Sequence, residues 1–386
     1  MSPTDTSHHP AGRRTARLLA AGAVTALTLA AVTACGPDDT TNPPPSEAAA
    51  ASATAGPTAA KGLPGGLPSL DALKKWKYAD WDKWAKQHVL TPAAKGFWNA
   101  QKMLQAKPQQ VPVAPPSPPA NDANDPLPAA IQASPVAHPY NQNKVDGKLF
   151  FDVGPNQHAV CSATVISDPQ HPGKSNLIWT AGHCVSSGKS GQQYSNEVFI
   201  PDFNSSGAVS NGQKPTDVSQ FAPYGQWIAT QAVASPQWVA EGSDQGSAAS
   251  QYDFAILRVA PENGTKSLEE TVGGSVPVWF NAPRDQLSIT AIGYPQAAPF
   301  NGVEMEQCNG GKPSRLSFDT TRPPMDVIGC TMTAGASGGG WFSLEDGKPA
   351  LVSNTSIGPA DNSWLAGPYL DDVAQNALDY MSKSSS

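Results

Sequence analysis

At 386 residues the chain is long enough for two or three domains, yet only 15% of it is charged and it carries 38 Pro and 34 Gly. That composition predicts long unpacked stretches beside a β-rich, loop-rich part. A net charge of −7, with no basic patch interleaved with aromatics, argues against a nucleic-acid partner.

Residues 1–34 read as an export signal. Arg13, Arg14 and Arg17 form a positive start, and Leu18 to Val32 an apolar, alanine-rich run of about 15 residues, too short to span a bilayer well. The flanks of Arg13-Arg14 fit a twin-arginine signal poorly. Val32-Thr33-Ala34-Cys35 resembles the bacterial lipobox. That resemblance implies cleavage before Cys35, lipid on its thiol, and a protein held by that lipid on the extracytoplasmic face of the bacterial membrane or released from it. The alternative is an ordinary secretory signal with a chance cysteine.

Residues 35–68, rich in Pro, Ala, Thr, Ser and Gly, cannot bury enough apolar surface to offset chain entropy, so they read as a disordered tether. Residues 69–106 hold four of the ten Trp: Trp76, Trp81, Trp84 and Trp98. Helical spacing of Leu70, Leu73, Trp81, Trp84 and His88 predicts a helix over 69–88 with Ser69 as N-cap. Thr91-Pro92 looks like the start of a second helix, over 92–106. So many Trp are not left on a free surface helix. The segment packs on a neighbouring domain or on itself, covers an active site as a pro-segment, or docks a partner. Residues 107–139 return to Pro and Ala and read as a second linker.

From residue 140 the texture becomes all-β. Strand-like runs at 149–151, 159–166, 177–180, 197–200, 227–233, 254–259, 288–292, 340–343 and 350–355 are punctuated by Gly, Pro, Asn and Asp. The spacing of Leu370, Val373, Ala374, Ala377, Leu378 and Met381 predicts a closing helix.

Three short frames in this region carry chemistry: Thr180-Ala181-Gly182-His183-Cys184, then Tyr252-Asp253 entering the apolar run Phe254-Ala255-Ile256-Leu257, then Gly335-Ala336-Ser337-Gly338-Gly339-Gly340. A serine hydroxyl becomes a useful nucleophile only when a base near neutral pKa takes its proton, and histidine is the side chain for that. A buried carboxylate holds the imidazole in one tautomer. Asp253 suits the carboxylate better than Asp217 or Asp244, neither of which enters an apolar strand. The order His, Asp, Ser and these local frames resemble the chymotrypsin-like (trypsin-like) serine peptidases. The resemblance implies a catalytic triad of His183, Asp253 and Ser337, with an oxyanion hole formed by the N–H groups of Gly335 and Ser337. It also implies an all-β fold: two six-stranded antiparallel barrels with the active site between them over 140–382, a C-terminal helix, and the helical segment 69–106 outside the barrels.

Five cysteines are present. With Cys35 lipidated, four remain, and export permits disulfides. The resemblance implies a Cys161–Cys184 bridge pinning the histidine loop, which leaves Cys308 and Cys330 for a second bridge beside the specificity pocket. Their spacings match no zinc pattern, and neither metal nor cofactor is expected.

The chain also departs from the family. Gly182 stands where Ala is usual. Ala336 replaces the Asp that pairs with a new N-terminal amine in animal members, so activation of that kind is not expected. Thr331 stands where the trypsin branch carries the Asp that attracts Lys or Arg. Glutamyl endopeptidases, which this chain also resembles, place a histidine where Ser353 aligns. The pocket is therefore expected at Thr331, Met332, Ser353, Asn354 and Thr355, and to favour an uncharged residue of modest size. The expected function is a membrane-anchored serine endopeptidase acting on protein or peptide. The alternative is a catalytically silent relative serving as a surface binding or scaffold protein.

Overall fold

The computed structural model describes residues 66–109, 112–115, 119–210 and 213–384. The export signal, Cys35 and residues 35–65 of the tether lie outside them. Three helices come first: α1 (Leu70–Leu73), α2 (Tyr78–Ala85) and α3 (Ala100–Gln105), followed by short strands β1 (Lys107–Pro108) and β2 (Ser134–Pro135). The next part holds β3 (Asp146–Gly154), β4 (Gln157–Ile166), β5 (Leu177–Thr180), β6 (Ser195–Pro201), β7 (Trp227–Ala234), α4 (Pro236–Glu241), β8 (Ala255–Pro261) and α5 (Leu268–Val272). The last part holds β9 (Ile289–Gly293), β10 (Glu306–Gly311), β11 (Ser314–Leu316), β12 (Met325–Gly329), β13 (Gly340–Glu345), β14 (Lys348–Asn354), β15 (Trp364–Gly367) and α6 (Asp372–Lys383). Among the described residues no helix is long and apolar enough to cross a membrane.

Strands β3 to β8 close into a six-stranded antiparallel barrel, in the order β4-β3-β6-β7-β8-β5 with β5 returning to β4. Alternation along the strands sorts the side chains. Leu149, Phe151, Cys161, Ala163 and Val165 share one core cluster, while Phe150 and Val160 join another with Trp98. Both faces of β3 and β4 are thus covered, so Leu149-Phe150-Phe151 reads as a continuous apolar run.

The second barrel is built differently. Six strands, β9, β10, β12, β13, β14 and β15, surround Ile289, Ala291, Ile328, Trp341, Val352 and Leu365. They lie in two sheets, β14-β13-β9-β10-β2 and β11-β12-β15. On one side the sheets meet through Ser356 and Ile357 N–H donating to Ala366 O (3.0 and 3.1 Å). On the other, the Cys308–Cys330 disulfide joins β10 to the end of β12.

The helical segment is part of the core. Leu73 (0% exposed) and Trp81 (1%) share a cluster with Trp179, Val373, Leu378 and Met381, so α1 and α2 lie with α6 against the first barrel. Lys74 O accepts from Asn376 Nδ2 (2.8 Å). Of the three readings of this segment, packing on the neighbouring domain is the one observed. The expected helix over 69–88 is broken after Leu73. Trp76 folds back on Trp81 and Trp84 (centroids 5.2 and 6.1 Å), and Lys77 is extended before α2 begins. The expected helix over 92–106 is corrected to Ala100–Gln105, capped by Asn99. Thr91 instead makes a bridge with Ser195. A Thr-Pro pair fits a strand edge as well as a helix start.

Residues 107–139 are not a free linker. Lys107 and Pro108 pair with β4, Ser134 and Pro135 with β10, and Thr331 N–H donates to Ile131 O (2.9 Å). A Pro/Ala-rich chain without a core of its own can still lend its backbone to the edges of another.

Candidate active site

Strand β5 ends at Thr180 and a 3-10 turn, Gly182–Cys184, carries His183. The Cys161–Cys184 disulfide ties that turn to β4, as the resemblance implied. A second 3-10 turn, Ala248–Tyr252, delivers Asp253 just before β8. Asp253 is fully buried. Its Oδ1 accepts from His183 N (2.8 Å), and its Oδ2 lies 2.7 Å from His183 Nδ1. A ring donating from Nδ1 presents Nε2 as an acceptor in its neutral form. The rivals stand elsewhere: Asp217 caps an exposed turn, and Asp244 lies on the cleft rim.

One partner of Asp253 escaped the sequence reading. Ser356 Oγ donates to Asp253 Oδ2 (2.6 Å) and is wholly buried. Nothing local distinguishes this serine among its neighbours; only the fold brings it to the carboxylate. Asn354 Nδ2 also donates to the Asp253 carbonyl (3.1 Å).

Ser337 sits in the turn between β12 and β13. Gly335 and Gly338 adopt φ of +103° and +76°. A Cβ on Gly338 would lie 2.0 Å from Thr180 Oγ1 and 2.9 Å from Ala181 N, so the turn abuts the residues leading into His183. Ala336 N–H donates to Thr333 O (3.1 Å), while those of Gly335 and Ser337 donate to no described residue. Two free N–H groups flanking a buried hydroxyl are what an oxyanion site needs. His183 Nε2 and Ser337 Oγ are both buried and make no hydrogen bond to a described residue.

The turn is braced without an ion pair. Ser162 Oγ donates to Gly335 O (3.0 Å) and accepts from Tyr294 N–H (2.9 Å), and Ser162 N–H donates to Ser337 O (2.7 Å). Gln296 and Ala297 N–H both donate to Ala334 O (2.8 and 3.0 Å). Ala336 itself is buried in the apolar cluster of the second barrel. Gly182 has a reason as well: a Cβ there would lie 2.7 Å from Trp238 Cγ. Trp238, edge-on to the His183 ring at 5.9 Å, occupies the space an alanine would need.

The pocket residues need correction. Ser353 Oγ donates to Pro368 O, Asn354 Oδ1 accepts from Trp179 Nε1, and Thr355 Oγ1 accepts from Trp341 Nε1. All three side chains are fully buried and turned into the core. Thr355 serves through its backbone, its carbonyl accepting from Gly338 N–H. Thr331 is engaged with residues 131 and 133 instead. The alignment on β14 is three residues short: Ser356 is the residue beside Asp253, and Gly358 lines the cleft. Met332 does line a cavity of about 220 Å³, with Thr333, Ala334, Gly358 and Leu365, and no charged residue faces it. Cys161, His183 and Cys184 lie within metal-ligating reach of one another, but both sulfurs are tied in the disulfide.

The trypsin-like peptidase domain profile matches residues 161–350. Among solved structures, a thermostable serine protease, AL20, from an extremophilic microorganism is 30% identical, with 64% of this chain and 100% of that one covered and a TM-score of 0.51. The protease Anisep from Arthrobacter nicotinovorans is 32% identical, covering 62% and 96%, with a TM-score of 0.50. No curated protein matches. The chain belongs to the trypsin-like peptidases of chymotrypsin fold.

Proposed function

We propose that the chain is a serine endopeptidase in which Ser337 is the nucleophile, His183 the general base and Asp253 its orienting carboxylate. The observation that supports this is an Asp253-held imidazole whose lead-in residues abut the turn that carries a buried serine, with the N–H groups of Gly335 and Ser337 engaging no described residue. Ser337 Oγ attacks the peptide carbonyl carbon as its proton passes to His183 Nε2. Gly335 and Ser337 N–H groups take the negative oxygen, each worth roughly 3 kcal/mol. The C–N bond then breaks, His183 returns the proton to the leaving amine, and an acyl-serine remains. Water attacks that ester with His183 again as base, restoring Ser337. The Nε2–Oγ hydrogen bond forms in the substrate complex.

The uncharged cavity at Met332, Thr333 and Gly358 supports a substrate residue that is uncharged and of modest size. A fluorophosphonate should label the protein, and Ser337→Ala should abolish labelling. A folded, disulfide-intact sample that takes no label is a silent family member instead. Lipid attachment at Cys35, placing the enzyme outside the cell on its membrane, is the companion proposal. Cys35→Ala should then release the protein into the medium, and unchanged membrane retention would refute it.

A further inference from the structure

The helical segment does not cover the site, but a stretch after it does. Val113 bridges both lips of the cleft, pairing with Gln245 on the first-barrel side and Gly358 on the second. Val113 N–H donates to Asp244 O (3.0 Å), Gly246 N–H donates to Val113 O (2.8 Å), and Ala114 N–H donates to Gly358 O (2.9 Å). Pro112 and Pro115 have no N–H, so every backbone donor between 112 and 115 is used. Ala114 is 5% exposed, in a cluster with Ile357 and Trp364.

This strap lines a cavity on each side of the cleft. Pro112, with Gln109, lines a cavity of about 330 Å³ that reaches His183 and Trp238. Val113 lines the uncharged cavity with Met332 and Gly358. His183 is 3% exposed and Ser337 not at all. An extended peptide entering the cleft gains affinity by pairing its backbone with such edges. Here Asp244 O, Gly246 N and Gly358 O are already taken.

We propose that Pro112–Pro115 is a built-in competitor that occupies the substrate cleft and holds the enzyme in a self-inhibited state. The inference rests on the peptidase reading. Prolines at both ends favour the extended form and reduce the entropy lost on docking. Opening the strap exposes both cavities and three backbone groups together.

The test uses the full chain. Ala114→Pro removes the bond to Gly358, and Ala114→Asp puts a carboxylate into the apolar cluster. Each should lower KM for an extended, uncharged peptide nitroanilide about fivefold, the equivalent of one net hydrogen bond, at unchanged kcat. Labelling by a small fluorophosphonate should quicken in parallel. Folded variants with wild-type KM and labelling rate overturn the strap and leave the peptidase reading standing. No labelling of any form refutes the peptidase reading and the strap with it. A second measurement needs no variant: amide exchange at Val113 and Ala114 should speed up when a peptidyl phosphonate is bound to wild type, and unchanged protection would overturn the proposal.

Discussion

Ser162→Ala probes whether hydrogen bonds replace the missing ion pair. The Ser162 hydroxyl is buried and joins Gly335 O to Tyr294 N–H. Removing it strands one buried acceptor and one buried donor, at about 1–3 kcal/mol each. A loss of about 3 kcal/mol is expected, since the site can partly relax. That leaves a folded protein if the total lies in the usual 5–15 kcal/mol range. The catalytic effect is bounded separately. Losing an oxyanion donor outright costs about 100- to 1,000-fold in kcat. Here the donor stays, and its peptide is still held through Ala334 O by Gln296 and Ala297. A fall in kcat of about tenfold with KM within twofold is expected. Steady-state kinetics on a peptide nitroanilide, beside thermal unfolding, give both numbers. Wild-type kcat in a variant that has lost the expected stability would show that the hydroxyl braces the fold alone and not the catalytic turn.

Three further outcomes follow. Burial pushes the Asp146 carboxyl from 3.8 up to about 7. A carboxyl raised on folding gives stability that is full below its unfolded pKa and is lost as pH rises through the folded one, at up to ~1.4 kcal/mol per pH unit. Asp146→Asn keeps an acceptor for Thr164 Oγ1 and removes that slope, so between pH 5 and 6.5 wild type should lose about 2 kcal/mol relative to the variant in urea titrations; parallel curves would contradict it. Ser356→Ala deletes a bond that holds the Asp253 carboxylate towards His183, where it counts most once the imidazolium forms in the transition state, so kcat should fall about three- to tenfold with KM unchanged. Trp81→Ala should cost about 3–5 kcal/mol in unfolding experiments while kcat of the folded enzyme stays at the wild-type value; a change in kcat would mean the helical segment acts on the site.

The frames around His183, Asp253 and Ser337 were legible because each couples a reactive side chain to a local constraint: a cysteine, an apolar strand, a run of glycines. The first barrel was legible because its strands are long and apolar. β10, β11, β12 and β15 escaped, being short and partly rich in Gly and Asn, and held by pairing with distant segments more than by their own pattern. Ser162 and Ser356 escaped for the same reason. A serine has no local signature, and their partners lie 173 and 103 residues away. Composition also misread residues 107–139, since backbone pairing needs no side-chain pattern. The pocket error at Ser353–Thr355 was one of count: that stretch offers no local anchor, and the chain reaches the cavity only at Gly358.

With the proposed strap, the N-terminal segment joins two opposed roles, and its contacts differ in strength between them. Gln296 supports the oxyanion turn through its N–H, while its Oε1 accepts from the buried Lys148 Nζ (3.0 Å) and its Nε2 donates to Ala106 O (2.7 Å). Residues up to Ala106 therefore belong to the working structure: Trp81 and Trp98 fill its core, and Ala106 helps to hold Gln296. Removing everything before the first barrel would cost at least the 3–5 kcal/mol of Trp81 alone, a large share of a typical domain's stability. The strap is attached far more weakly, through three backbone hydrogen bonds and one small side chain in an apolar cluster. Activation that keeps the enzyme folded must therefore act on residues 112–115 and spare 66–106. Local opening at Val113 and Ala114 meets that requirement, and wholesale loss of the N-terminal segment does not.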